Sequence, residues 1–125
     1  MASQDRYASL DLEVMDQLLG LDDGATGLLE EMLGLYREDT PGRLDAVAEA
    51  LGKAEWSEMA DVAHAIKGSA GTMGAPRVRA FAAQLEAGGR TGKWEGDPAA
   101  ILESLRAAYE ESLGALDAFV EEKRG

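Results

Sequence analysis

Ala63-His64-Ala65-Ile66-Lys67-Gly68-Ser69-Ala70-Gly71-Thr72-Met73-Gly74-Ala75 carries both the helical signal that sets the fold class and the chain's single histidine. Set on a helix beginning near Trp56, the apolar residues Trp56, Met59, Ala63, Ile66, Ala70 and Met73 form one stripe at three- and four-residue steps. At about 100° per residue, His64 falls roughly 130° from the centre of that stripe and points to solvent. Gly68 follows one turn later over the same face, and Ala60 precedes it by one turn. Lys67 stands between His64 and the core boundary, within reach at i+3. A glycine inside a helix costs ~1 kcal/mol relative to alanine. At Gly68, which faces away from the core, open space beside the imidazole offsets that cost; at Gly71, on the flank, close packing or an open surface serves equally.

The same periodicity extends in both directions, and no period-2 strand stands out. A short first helix is predicted over Leu12 to Leu19, broken by Gly20 and the Asp22-Asp23-Gly24 turn. A second runs from near Ala25 to about Leu51, its stripe being Leu29, Leu33, Tyr36, Leu44, Val47 and Leu51. Pro41 inside it predicts one bent helix, with two helices as the alternative. The third, Trp56 to Met73, stops at Gly74, and Pro76 opens a fourth that buries Val78, Phe81, Ala82 and Leu85 and ends at Gly88-Gly89. After a glycine-rich loop, Asp97-Pro98 starts a last helix with Leu102, Leu105, Tyr109, Leu113, Leu116 and Val120 on one face. Amphipathic helices with short connections imply an antiparallel bundle, a single domain over residues 1–125.

Composition narrows the function. With 125 residues and a net charge of -12, the chain is a poor match for nucleic acid or an anionic membrane surface. There is no cysteine, so thiolate chemistry and disulfides are excluded. One histidine and no cysteine make a poor metal set, and no resident cofactor is expected. Gly88-Gly89-Arg90-Thr91-Gly92-Lys93 has the wrong spacing for a phosphate loop, with Trp94 where Ser or Thr belongs. No signal peptide or apolar span is visible, so a cytoplasmic protein is expected. From His64 to Lys93, however, Lys67, Arg77, Arg79, Arg90 and Lys93 face Glu86 alone, which reads equally as a chance asymmetry of a solvated face or as a local basic zone for an anion or an acidic partner.

A lone histidine on a polar helix face is usually a solvated spectator; here its neighbours argue for chemistry. Neutral imidazole, with an unperturbed pKa of about 6.5, is a nucleophile near neutral pH. Exposed, it can attack an acyl phosphate held by another protein. Lys67 can neutralise the resulting phosphoramidate and, as a cation, disfavour protonation of the ring. Ser69 can hydrogen-bond Lys67 or the backbone.

His64-Ala65-Ile66-Lys67-Gly68-Ser69-Ala70, followed by Gly74-Ala75, closely resembles the signature of histidine-containing phosphotransfer (HPt) domains. Leu85-Glu86, Glu38-Asp39-Thr40-Pro41 leading into Arg43-Leu44, and Asp11-Leu12 through Leu18 are similar to further parts of that family, so the likeness spans nearly the whole chain. Gly71 departs from the pattern by removing a side chain near the site. The resemblance implies an all-α fold, an antiparallel four-helix bundle with a short accessory N-terminal helix. It implies that His64 is phosphorylated through Nε2, that Lys67 stabilises the phosphoryl group and that Gly68 leaves room for the partner, with Ser69 in support. The implied partners are receiver domains of response regulators or hybrid kinases, which supply the acceptor aspartate and Mg²⁺. The chain itself would be a passive, freestanding carrier rather than an enzyme, and a monomer. The competing reading is a helical docking module that binds a receiver or kinase without carrying phosphate; a metal-dependent hydrolase lacks ligands.

Overall fold

The computed structural model describes residues 7–125; residues 1–6 of the expected single-domain span lie outside the described residues. Its helices are α1 (Leu12–Leu21), α2 (Gly27–Gly52), α3 (Trp56–Thr72), α4 (Pro76–Thr91) and α5 (Pro98–Arg124), and no strand forms among the described residues. The boundaries follow local chemistry. Asp11 caps α1 by accepting from the N–H groups of Glu13 and Val14, and Asp97 caps α5 by accepting from Ala99 N–H. Pro76 and Pro98 occupy first-turn positions, where the missing N–H costs nothing. Asp22, in the loop before α2, accepts from Leu28 N–H at 2.9 Å and satisfies one of that helix's free donors.

Short connections reverse the chain after α2, α3 and α4, so neighbours run antiparallel. Each packs on the next, and α5 returns to α2, closing a four-helix bundle with its most extensive seam between α3 and α4. The expected stripes supply the interior: Leu29, Leu33, Tyr36, Leu44 and Val47 from α2, Met59, Ala63, Ile66 and Ala70 from α3, Val78, Ala82 and Leu85 from α4, and Leu102, Leu105, Tyr109, Leu116 and Val120 from α5 are all buried. A polar seam joins α2 to α5. Tyr36 Oη lies 2.9 Å from Ser112 Oγ, whose own proton goes to Tyr109 O at 2.6 Å, so the tyrosine donates. Burial pushes the Tyr36 phenol up to about 12. No helix among the described residues is long and apolar enough to cross a membrane.

The accessory helix α1 is pinned to the α3–α4 turn. Asp11 N–H donates to Gly74 O at 2.8 Å, and Gly74 holds a φ of 67°. A Cβ there would stand 3.1 Å from Val14 Cβ and 3.2 Å from Asp11 O, so both the turn and the approach of α1 require glycine.

Several boundaries and faces differ from the sequence expectation. Helix α1 continues through Gly20 to Leu21, and α2 begins at Gly27 and passes through Pro41 without interruption to Gly52. Gly88-Gly89 does not end α4, which runs on to Thr91 and stops at Gly92 in the left-handed region, φ 75°. The pair serves packing instead. A Cβ on Gly88 would come within 2.3 Å of the Trp94 ring, and one on Gly89 within 2.8 Å of Trp56 O and 3.1 Å of Ala60 Cβ. Ala60 is therefore buried under α4 rather than open beside His64. Trp56, expected in the core, is 40% exposed, lying at the start of α3 beside Trp94 of the α4–α5 loop with ring centroids 6.0 Å apart.

Substituting these glycines should separate packing from propensity. Gly89→Ala should destabilise the bundle by about 1–2 kcal/mol, since overpacking exceeds the gain in helix propensity. Gly34→Ala on α2, where an added Cβ meets nothing within 4 Å, should stabilise it by up to ~1 kcal/mol. Thermal melts of the two variants should shift Tm in opposite directions.

Candidate functional site

His64, Lys67, Gly68 and Ser69 lie on α3, on or beside the face turned away from the core. The His64 side chain is 63% exposed, and that of Lys67 is 29% exposed. A Cβ on Gly68 would meet nothing within 4 Å, so the surface one turn beyond the imidazole is bare. Its carbonyl also accepts a hydrogen bond from Thr72 Oγ1 at 3.1 Å, a threonine back-bond one turn along the helix.

The feature sequence reasoning did not find is the partner across the α3–α4 seam. Glu86, only 15% exposed at its side chain, places Oε2 2.8 Å from His64 Nδ1 and Oε1 2.5 Å from Lys67 Nζ. Lys67 is thus engaged with Glu86, a partner the helical spacing of α3 alone does not supply. The Lys67 hydrogen bond, aided by that of His64, holds the Glu86 carboxyl below its ordinary range against the opposing effect of burial. The carboxylate is ionised at neutral pH and can only accept, so His64 Nδ1 must carry the proton it donates. In the neutral ring the free lone pair then belongs to Nε2, which makes no hydrogen bond within the described residues. One side chain fixes the tautomer, orients the ring and holds the neighbouring ammonium.

Arg90, one turn after Glu86, extends the cluster: Nη1 reaches Asp61 Oδ1 at 3.0 Å, and Nη2 stands 3.7 Å from Glu86 Oε2. Ser69 bonds neither Lys67 nor the backbone; it accepts from Arg43 Nη1 of α2 at 3.0 Å. An open groove continues from there between α2 and α3, lined by Met32, Leu35, Tyr36, Arg43, Gly68 and Met73. The expected basic zone is divided: Arg77 pairs with Glu111, and Lys67 and Arg90 pair with Glu86 and Asp61, while Arg79 and Lys93 have no carboxylate partner among the described residues. Among the described residues no three His, Asp or Glu side chains are grouped to hold a metal ion. The signal that could have found Glu86 was its isolation, as the one acid in the basic stretch from His64 to Lys93, beside the core position Leu85.

Removing the carboxylate should release the ring. In Glu86→Ala, ¹⁵N shifts of the neutral His64 ring should move from the Nδ1–H pattern toward the Nε2–H tautomer preferred by free imidazole; an unchanged pattern would deny Glu86 this role. The folded pKa of Glu86 lies below its ordinary value of 4.5, so its contribution to stability is present above that value. It is lost as pH falls through the folded pKa, and the stability gap between wild type and Glu86→Ala should close on acidification.

Comparison with known proteins identifies the family and the fold. The family model described as the Hpt domain matches residues 31–120. The solved structure of the histidine-containing phosphotransfer domain of ArcB from Escherichia coli superposes with a TM-score of 0.80 at 22% identity, over 92% of this chain and 95% of that one, a likeness of fold. No curated protein matches the chain significantly. With the family model spanning most of its length, the chain belongs to the Hpt domain family, the phosphocarriers of phosphorelays.

Proposed function

We propose that this chain carries phosphoryl groups between receiver-domain aspartates in a multistep two-component phosphorelay, with His64 as the carrier residue. The observation that carries the reading is the His64 Nδ1–Glu86 contact at 2.8 Å on an exposed helix face, which leaves Nε2 as the outward lone pair. Nε2 attacks the phosphorus of an aspartyl phosphate. The N–P bond forms as the P–O bond to the aspartate breaks, and the aspartate leaves as a carboxylate. The ring becomes a phosphoimidazolium whose Nδ1–H points at Glu86, so the carboxylate stabilises the positive ring that the forward step creates. The same cationic ring is a good leaving group in the return step to a second aspartate, and no proton has to depart.

In the free chain the Lys67 ammonium is paired with Glu86 at 2.5 Å, on the Nδ1 side of the ring; with three donors on a flexible stem it turns toward the phosphoryl oxygens once they are added at Nε2. Arg90 remains within 3.7 Å of Glu86 to balance the carboxylate if Lys67 swings away. Gly68 leaves the approach to Nε2 clear of side chains. The receiver would bring the Mg²⁺ and most of the catalysis, and this chain would act as a soluble monomeric carrier without a kinase or hydrolase site of its own.

Incubation with a phosphorylated receiver domain should give the wild type an acid-labile, base-stable phosphate, and His64→Gln none. Equal labelling of the two would overturn the proposal. Lys67→Ala should slow transfer by about tenfold or more, since a cation ~4 Å from the phosphoryl group gains ~1 kcal/mol in water and more once the docked partner excludes solvent. Its thermal unfolding should change little, because His64 and Arg90 still face the Glu86 carboxylate once the ammonium is gone.

A further inference from the structure

The cations around the α3 surface fall into two groups. Lys67 and Arg90 are matched by Glu86 and Asp61. Arg43 and Arg79 have no carboxylate partner among the described residues, although the chain carries twice as many acids as bases, 24 against 12. Both are tied to α3 close to Gly68. Arg43 crosses from α2 and is fixed by its bond to Ser69 Oγ at 3.0 Å. Arg79 crosses from α4, its Cδ and Nε lying 3.6 Å from the position a Cβ would take on Gly71.

At about 100° per residue, Ser69 and Gly71 stand at roughly +100° and -60° from Gly68 around the helix axis. The arginines therefore flank the His64–Gly68 strip from opposite sides, one from each neighbouring helix. A side chain longer than alanine at Gly71 would occupy the space now taken by the Arg79 stem. The departure of Gly71 from the family pattern thereby has a physical account, and so does Ser69: each is a small residue that lets an arginine lie against α3. Each Arg makes no ion pair and keeps most of its donors for an outside partner, the acid that shares its pocket lining being Asp39 for Arg43 and Asp11 for Arg79.

We propose that Arg43 and Arg79 form a two-sided electrostatic guide that seats an acidic partner surface over the His64–Gly68 strip and selects among partners by the carboxylates at its rim. The inference rests on the phosphocarrier reading, with the partner a receiver domain whose acceptor aspartate lies in an acidic pocket. A chain of net charge -12 repels such a surface at long range. Over the last ~10 Å, inside the screening length, local cations govern the encounter and its orientation.

The test measures phosphoryl transfer from acetyl-phosphate-loaded receiver domains to the full chain, with the receiver that loads it fastest in a panel, at low and physiological salt. Arg43→Glu and Arg79→Glu should each lower the second-order rate constant roughly tenfold at low salt and flatten its salt dependence, with the rate at saturating receiver little changed. Arg43→Gln, which removes the charge without reversing it, should show a smaller loss of the same kind. Lys123→Glu makes an equal charge change on α5, on the diagonal side of the bundle, and should stay within about twofold of wild type. Arginine variants that transfer like wild type, or a Lys123→Glu variant that loses as much as they do, overturn the guide. A wild type that accepts no phosphate from any receiver overturns the phosphocarrier reading itself, a result distinct from either.

Discussion

The closeness of α3 to α4 is the constraint on which the site depends. A buried helix pair joined by a three-residue turn can approach only as far as its facing residues allow. Here the facing residues are small: Gly89 lies against the backbone of Trp56 and against Ala60, and Ala63, Ala70 and Ala82 are buried in the same interior. That approach lets a glutamate on α4, with its short reach, touch both a histidine and a lysine on α3. With a wider seam Glu86 would contact solvent, the ring would rotate freely, and Lys67 would be one more exposed cation.

Electrostatics then separates what is satisfied internally from what is left over. Along the seam Asp61 meets Arg90, and Glu86 meets His64 and Lys67, in the order that antiparallel helices require. Exposed ion pairs of this kind contribute little to stability, ~1 kcal/mol or less each. Their effect is geometric: Glu86 is less exposed than its partners, accepts two hydrogen bonds and has few alternative positions, so the imidazole it holds has few as well. The ring is positioned by its Nδ1 edge, which leaves the opposite nitrogen outward.

The glycines illustrate how one residue type answers different demands. Gly74 is required by its backbone angle, since φ of 67° is strained for a side-chain-bearing residue. Gly88 and Gly89 are required by contact, each filling a site where a methyl group would collide with Trp94 or with α3. Gly68 is required by neither: its φ is helical and the space around it is empty. Gly20, Gly34, Gly42, Gly52 and Gly114 stand in equally open space on their helices, so what sets Gly68 apart is that the bare surface it leaves lies one turn from the exposed imidazole.

What was legible in the sequence follows from the range of each interaction. Periodicity is local, so the stripes of α2, α4 and α5 and the outward direction of His64 could be read from spacing alone, and the start signals at Pro76 and Asp97 marked two helix starts. The misreadings fall where a contact from another helix decides. Gly88-Gly89 has the composition of a helix stop, yet α4 continues because Trp94 and Trp56 need the room. Ala60 sits one turn from His64 on a wheel, but α4 covers it and leaves His64 open, a difference set by where the second helix crosses. The same reasoning applies to Glu86, Arg43 and Arg79. Each acts on α3 from a neighbouring helix, so its partner depends on the register between two helices, and a single sequence without that register shows only an isolated acid and unpaired bases.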